Sequence, residues 1–194
     1  MFNSDIKRAF QDFGKNIHSV ALMLALVIPF PFLFIIALIF ILKALKIIKN
    51  VNENLKDQYL FEFRSKFISA FTFWFFGFLA FAVFISFFIL ALMYPLLFNP
   101  WYILLVAILS IIILFGGSVS MMRAWENLRA YFDENRDNFP DFIWIEAIKG
   151  CENLRIGSKL YLFSIFIVPL VIGYIFQIKG YFKLAKLDKL YQFA

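Results

Sequence analysis

Between Phe67 and Met122 the chain runs for 56 residues without an Asp, Glu, Lys or Arg. As one helix, rising 1.5 Å per residue, that run would be about 84 Å long against a membrane hydrocarbon core of about 30 Å. It must therefore fold back on itself. The stretch YPLLFNPW supplies the place. Pro95 and Pro100 cannot donate backbone hydrogen bonds, Asn99 precedes a proline, and Tyr94, Trp101 and Tyr102 carry the amphipathic rings that settle at a membrane interface. Barrel strands would alternate polar and apolar residues, which this run does not, and inside lipid a helix satisfies its own backbone.

Two further intervals are free of charge, Asn16 to Leu42 and Leu160 to Ile178. Each meets or approaches the roughly 20 residues that a membrane-crossing helix requires. With 63% hydrophobic residues, 16% charged residues and 29 Phe, the chain carries more apolar surface than a soluble domain of this length could bury. We therefore expect an all-α integral membrane protein, a single domain over residues 1–194, with four transmembrane helices near 19–42, 67–93, 101–122 and 160–178. The first run follows a charged segment, is too long for a signal peptide and lacks a small-residue cleavage site, so it is expected to stay. A single cysteine, Cys151, excludes an intramolecular disulfide.

The 19 basic residues fall as three before the first run, six in 43–66, none in 94–100, six in 123–159 and four after the last run. If all four runs cross, both termini join the 94–100 turn outside, and the positive-inside count is twelve against seven. Pro29 and Pro31 in the first run, and Pro169 with Gly173 in the last, allow a second topology in which both dip in and return. All basic residues would then share the cytoplasmic side. Full crossing is the expected arrangement, since prolines are common in transmembrane helices and a lipid-exposed bend leaves backbone groups unpaired.

Amphipathic segments flank the spans. Phe2, Ile6, Phe10, Phe13 and Ile17 recur at helical spacing, predicting an interfacial helix, and Ala44, Ile48, Val51, Leu55 and Tyr59 form a second stripe. Near the end, Lys179, Lys183 and Lys186 share one face while Tyr181, Leu184, Leu187 and Tyr191 share another, predicting a basic membrane-surface helix. The motifs VNENLK (51–56), AWENLR (124–129) and GCENLR (150–155) hint at a weak two-fold repeat of 19–93 and 101–178.

Candidate chemistry is sparse. Asp133, Asn135 and Asp137 match the first positions of a calcium loop, but Asn138 replaces the required Gly and Trp144 the closing Glu. A hydrated linker explains the stretch better: Arg129 and Asp133 stand at i,i+4, NFP breaks the helix, and Asp141 stands where it could cap the next one. His18 and Cys151 have no partner signature, and no phosphate loop or zinc motif occurs. Gly116 and Ser120 form a small-xxx-small pair, a helix-packing signal. No catalytic residue, metal or cofactor is expected, and uncharged spans argue against an ion-coupled pump.

The segments LIFILKALKIIKNVNENLKDQYLFEFRSKFISAF and IGYIFQIKGYFKLAKL resemble span exits in small prokaryotic multi-span membrane proteins of unknown function. That resemblance implies a helical membrane fold in a prokaryotic plasma membrane. We expect a non-enzymatic accessory or scaffold subunit whose partners are the lipid bilayer and other membrane subunits or itself, with no nucleic acid. A passive channel or small-solute transporter, a membrane-shaping or lipid-binding protein, and a lipid-modifying enzyme are the rival readings. A cavity lined by Ser69, Thr72, Ser86, Ser110, Ser118, Ser164 and Gln177 would favour transport.

Overall fold

The computed structural model describes residues 4–94, 99–163 and 167–192; Phe2, Pro95 and Ser164 lie outside them. Among the described residues the chain is helical and has no strand. Three helical segments are long and apolar enough to cross a membrane: Gln58–Met93, Pro100–Glu134 and Ile167–Leu190. The protein is a membrane protein.

The first expected span, 19–42, is not one helix. Helix α1 (Ser4–Ala25) ends, the chain turns through 26–32, and α2 (Leu33–Leu55) begins. The reason is local: neither Pro29 nor Pro31 can supply the N–H that would continue the i to i−4 ladder. Short turn bonds replace that ladder, from Val27 N–H to the Leu24 carbonyl at 3.1 Å and from Leu33 N–H to the Phe30 carbonyl at 3.0 Å. The two helices then lie side by side in opposite directions, with Asp12, Lys15 and Asn16 of α1 sharing a groove with Lys43, Lys46 and Asn50 of α2.

The chain turns again at Lys56, whose positive φ of 52° ends α2 while its N–H bonds the Asn52 carbonyl. The Asp57 carboxylate then accepts from Leu60 N–H at 3.0 Å and caps α3 (Gln58–Met93). Helix α4 (Pro100–Glu134) opens with Asn99 accepting from Trp101 N–H at 3.0 Å and Pro100 in the first turn, where its missing N–H costs nothing. The expected spans 67–93 and 101–122 lie within α3 and α4, which pack as a hairpin with Gly77 against Leu114 and Gly117 against Ala70 and Trp74.

A 3-10 turn at Arg136–Asn138 leads to α5 (Asp141–Leu160), followed by a 3-10 turn at Tyr161–Phe163 and by α6 (Ile167–Leu184). The fourth expected span, 160–178, therefore begins in a turn rather than in a helix. Helices α5 and α6 form a third hairpin, with Gly150 against Gly180 and Leu184, and Gly157 against Gly173 and Gln177. A final 3-10 segment, Ala185–Gln192, packs on α1.

Where the three hairpins come together, aromatic rings stack in layers. Phe10 lies 5.6 Å from Tyr131 and 5.5 Å from Phe139. Trp125 lies 5.5 Å from Phe63, 5.3 Å from Phe67 and 5.8 Å from Tyr181. Phe71 and Trp74 then lead to Tyr161. Phe10, Phe13, Ile17, Val20 and Ala21 of α1 are all buried in this core. The predicted stripe on α1 is thus real, but protein rather than the bilayer surface covers it. Gly14 shows the reason: a Cβ there would collide with the backbone of Leu187 and Asp188 in the C-terminal segment.

Candidate functional site

The tips of the two broken hairpins meet the middle of α3 and α4 around a cleft of about 630 Å³. Val27, Ile28 and Phe34 come from the α1–α2 tip, Tyr161 and Leu162 from the α5–α6 tip, and Leu170, Val171 and Tyr174 from α6. Trp74 and Phe78 of α3, with Ile111, Leu114, Phe115 and Ser118 of α4, close the opposite wall. Trp74 and Phe78 stand seven and eleven residues beyond Phe67, where the charge-free run begins, so the cleft sits about 10–16 Å along it.

Few polar atoms reach this cleft. The Tyr174 hydroxyl donates to the Leu24 carbonyl, tying α6 to the last turn of α1. Ser118 Oγ donates to the Leu114 carbonyl at 3.3 Å, an internal helix bond that leaves the wall apolar. The Trp74 and Tyr161 rings meet edge to face at 6.5 Å. Among the described residues, no Asp, Glu, Lys, Arg, His or Cys lines the cleft. Such walls accept hydrocarbon.

The remaining polar residues of the membrane segments do not converge. Thr72, Ser86 and Ser110 donate to carbonyls of their own helices, those of Ile68, Ala82 and Ala107. Gln177 is buried elsewhere, between α5 and α6, where its amide donates to the Leu154 carbonyl at 3.2 Å and to Ser158 Oγ at 3.1 Å. Of the described residues named for a transport cavity, Ser118 is the one that lines this cleft.

Gly116 and Ser120 are half-buried on α4, and a Cβ at Gly116 would meet the Phe73 ring at an ordinary 3.7 Å. The tight approach is one residue on. A Cβ at Gly117 would strike the Trp74 indole and lie 3.2 Å from the Ala70 carbonyl. Lys179 is exposed, Lys183 and Lys186 are half-buried, and Leu184, Leu187 and Leu190 behind them are buried against the protein.

In the 129–142 stretch, Arg129 Nε lies 3.7 Å from Asp133 Oδ2, the spacing expected of an i,i+4 pair. Asp141 opens α5 but makes no side-chain cap; its Oδ1 lies 3.4 Å from Arg136 Nη2. Arg136 also stacks 4.5 Å over the Trp144 ring, whose Nε1 donates to the Phe132 carbonyl at 3.1 Å. His18, alone in sequence, stands 3.5 Å from Asp188 and edge-on to Phe182. Cys151 is fully buried, and desolvation pushes its thiol well above the ordinary range, which disfavours the reactive thiolate.

Gly173 stands out in the sequence beside Pro169, but the packing role it shares with Gly150, Gly157 and Gly180 in the third hairpin does not. Gly150 and Gly157 stand seven residues apart on α5, as do Gly173 and Gly180 on α6. A Cβ at Gly157 would lie 2.9 Å from the Gly173 carbonyl, and one at Gly180 would lie 2.9 Å from the Gly150 carbonyl. Two glycines at the same heptad spacing on successive segments were the available signal. No protein family, curated protein or solved structure matches this chain.

Proposed function

We propose that this protein shapes the membrane as a wedge, inserting two short hairpins beside one long one from a single face. The observation that carries this reading is the level at which the hairpins turn. From Lys15 to Ile28 at the α1–α2 tip is thirteen residues, about 20 Å of path, whereas the charge-free part of α3 from Phe67 to Met93 runs about 39 Å. Five helices, α1 to α4 and α6, therefore occupy the half of the bilayer nearest the charged base, since α5 carries charge as far as Lys159, and among the described residues α3 and α4 alone continue beyond the cleft. Each helix is about 10–12 Å across, so this inequality expands one leaflet relative to the other. With both hairpins returning, all 19 basic residues lie on the base side, which the positive-inside rule assigns to the cytoplasm of the cell.

Reconstitution into large phosphatidylcholine vesicles tests the proposal. Electron microscopy should show tubules or small vesicles that grow in number with the protein-to-lipid ratio. Single cysteines at Lys7 and Lys56 should label from one side and a cysteine at Asn99 from the other. Buried Cys151 stays silent in that assay. Vesicles that remain large and smooth at high loading, or Lys7→Cys labelling from the Asn99 side, would overturn the wedge.

A second reading, an accessory subunit that binds partner helices, draws support from the outer part of the long hairpin. Only 6% of the most apolar window of α3 and 17% of that of α4 is buried within the chain, leaving faces open to lipid or to other helices. Stoichiometric co-purification of another membrane protein after mild extraction, without vesicle remodelling, would favour this alternative.

A further inference from the structure

Where the α1–α2 hairpin leaves its apolar arm, a groove of about 360 Å³ opens between the two helices. Its walls are Asp12, Lys15 and Asn16 of α1 and Lys43, Lys46 and Asn50 of α2, with Ile47 beside them. Tertiary packing alone brings these two sets together. The charges do not cancel. Lys15 Nζ is held 3.0 Å from Asp12 Oδ1, and outside the groove Lys49 lies 3.4 Å from Glu53. Lys43 and Lys46 are exposed and have no carboxylate within ion-pairing distance among the described residues. The groove thus keeps two uncompensated ammonium groups beside the amides of Asn16 and Asn50.

Its level says what would fill it. Lys43 is the first charge after the run from Asn16 to Leu42, so the groove straddles the boundary between apolar arm and charged base. Lys43 Nζ also lies 5.2 Å over the Phe40 ring, which keeps the lysine stem against the apolar arm and its charge at that boundary. A free anion would need only the charges, whereas an anionic group joined to acyl chains matches both the charges and the apolar surface running away from them.

We infer that this groove binds the phosphodiester headgroup of an anionic phospholipid, Lys43 and Lys46 holding the phosphate and its chains lying along the arm. The inference rests on insertion of the α1–α2 hairpin and not on bending of the bilayer. Native mass spectrometry of the delipidated full chain, titrated with phosphatidylglycerol, phosphatidylcholine or inorganic phosphate, tests it. Phosphatidylglycerol should bind in a saturable one-to-one adduct, more tightly than phosphatidylcholine. The Lys43→Gln/Lys46→Gln variant should weaken that adduct roughly tenfold or more. Lys149→Gln/Lys159→Gln removes the same charge from α5 and should leave it unchanged. All four lysines are exposed, and matching melting curves will show that both variants fold.

Equal weakening in both variants would reduce the effect to net charge and overturn the site. So would equal affinity for the two lipids. Inorganic phosphate that displaces phosphatidylglycerol at comparable concentration would overturn the lipid as occupant in favour of a free anion. Vesicles that bend while phosphatidylglycerol fails to bind would sink this inference alone, whereas Lys7→Cys labelling from the Asn99 side would remove the insertion on which both readings stand.

Discussion

Phe67 and Phe75 are two turns apart on the same helix, yet Phe67 is 2% exposed and Phe75 is 68% exposed. The first belongs to the base, where three hairpins converge on Trp125; the second belongs to the outer hairpin, where α3 touches α4 along one face and its other faces are open. Leu60, Phe63, Phe67 and Ala70 are buried at helical spacing, whereas beyond Gly77 no residue of α3 is buried. The lesson is that phenylalanine content does not locate a protein core in this chain. What separates the regions is whether charges interrupt the apolar residues, as Glu62, Arg64 and Lys66 do in the base and nothing does in 67–93. Interrupted segments have one apolar face, which other helices cover; uninterrupted ones can leave every face to lipid.

The widest gap between the regions should appear on truncating an aromatic ring. Trp125→Ala removes the centre of the base ladder and should cost about 3–5 kcal/mol, whereas Phe75→Ala should fall within about 0.5 kcal/mol. Unfolding of both variants in the same detergent measures the difference. Equal losses would mean that the outer hairpin is packed against something beyond this chain.

Glycine substitutions sharpen the comparison at the next level. Gly157→Leu and Gly180→Leu push side chains onto backbone atoms less than 3 Å from their first carbon, so each should lose about 1–3 kcal/mol or more. Gly116→Ala meets only the movable Phe73 ring at 3.7 Å and should be close to neutral, with Gly117→Ala intermediate. A Gly116→Ala variant as damaging as Gly157→Leu would show that the outer hairpin packs as tightly as the inner one.

The smallest effects belong to the charged linker at the base. Asp133 faces the partly exposed Arg129 at 3.7 Å and Asp141 the exposed Arg136 at 3.4 Å, and solvent screens such pairs. Asp133→Asn and Asp141→Ala should each change stability by about 0.5 kcal/mol or less, and by similar amounts, because Asp141 caps nothing. Calcium at saturating concentration should leave the melting temperature where chelator does. A native-state ligand at about 100 times its dissociation constant would instead add about 2.7 kcal/mol, and a rise that vanishes in Asp133→Asn would make this linker a site.

Much of this arrangement was legible in the residues. The charge-free run from 67 to 122 required a long hairpin, YPLLFNPW marked its end, and the apolar stripe on α1 marked the face that is buried. The stripe could not say what would cover it. A helix face of Phe10, Phe13 and Ile17 has the same pattern whether its partner is lipid or Tyr131, Phe139 and the C-terminal segment. His18 likewise read as solitary because Asp188 reaches it only through that packing. The cleft was invisible for the same reason, since its walls come from five separated stretches.

By itself the sequence determined the solvent, the helical class and the long hairpin, because these follow from composition and from distances along one helix. Tertiary structure decided that 19–42 turns back. Pro29 and Pro31 remove backbone donors wherever they occur, but a lone helix in lipid can absorb that loss as a kink. Here the break is held open by contacts remote in sequence: the Tyr174 hydroxyl on the Leu24 carbonyl, and Gly14 pressed against Leu187 and Asp188. A proline states only what a helix lacks, and its neighbours in space decide whether the chain kinks or reverses.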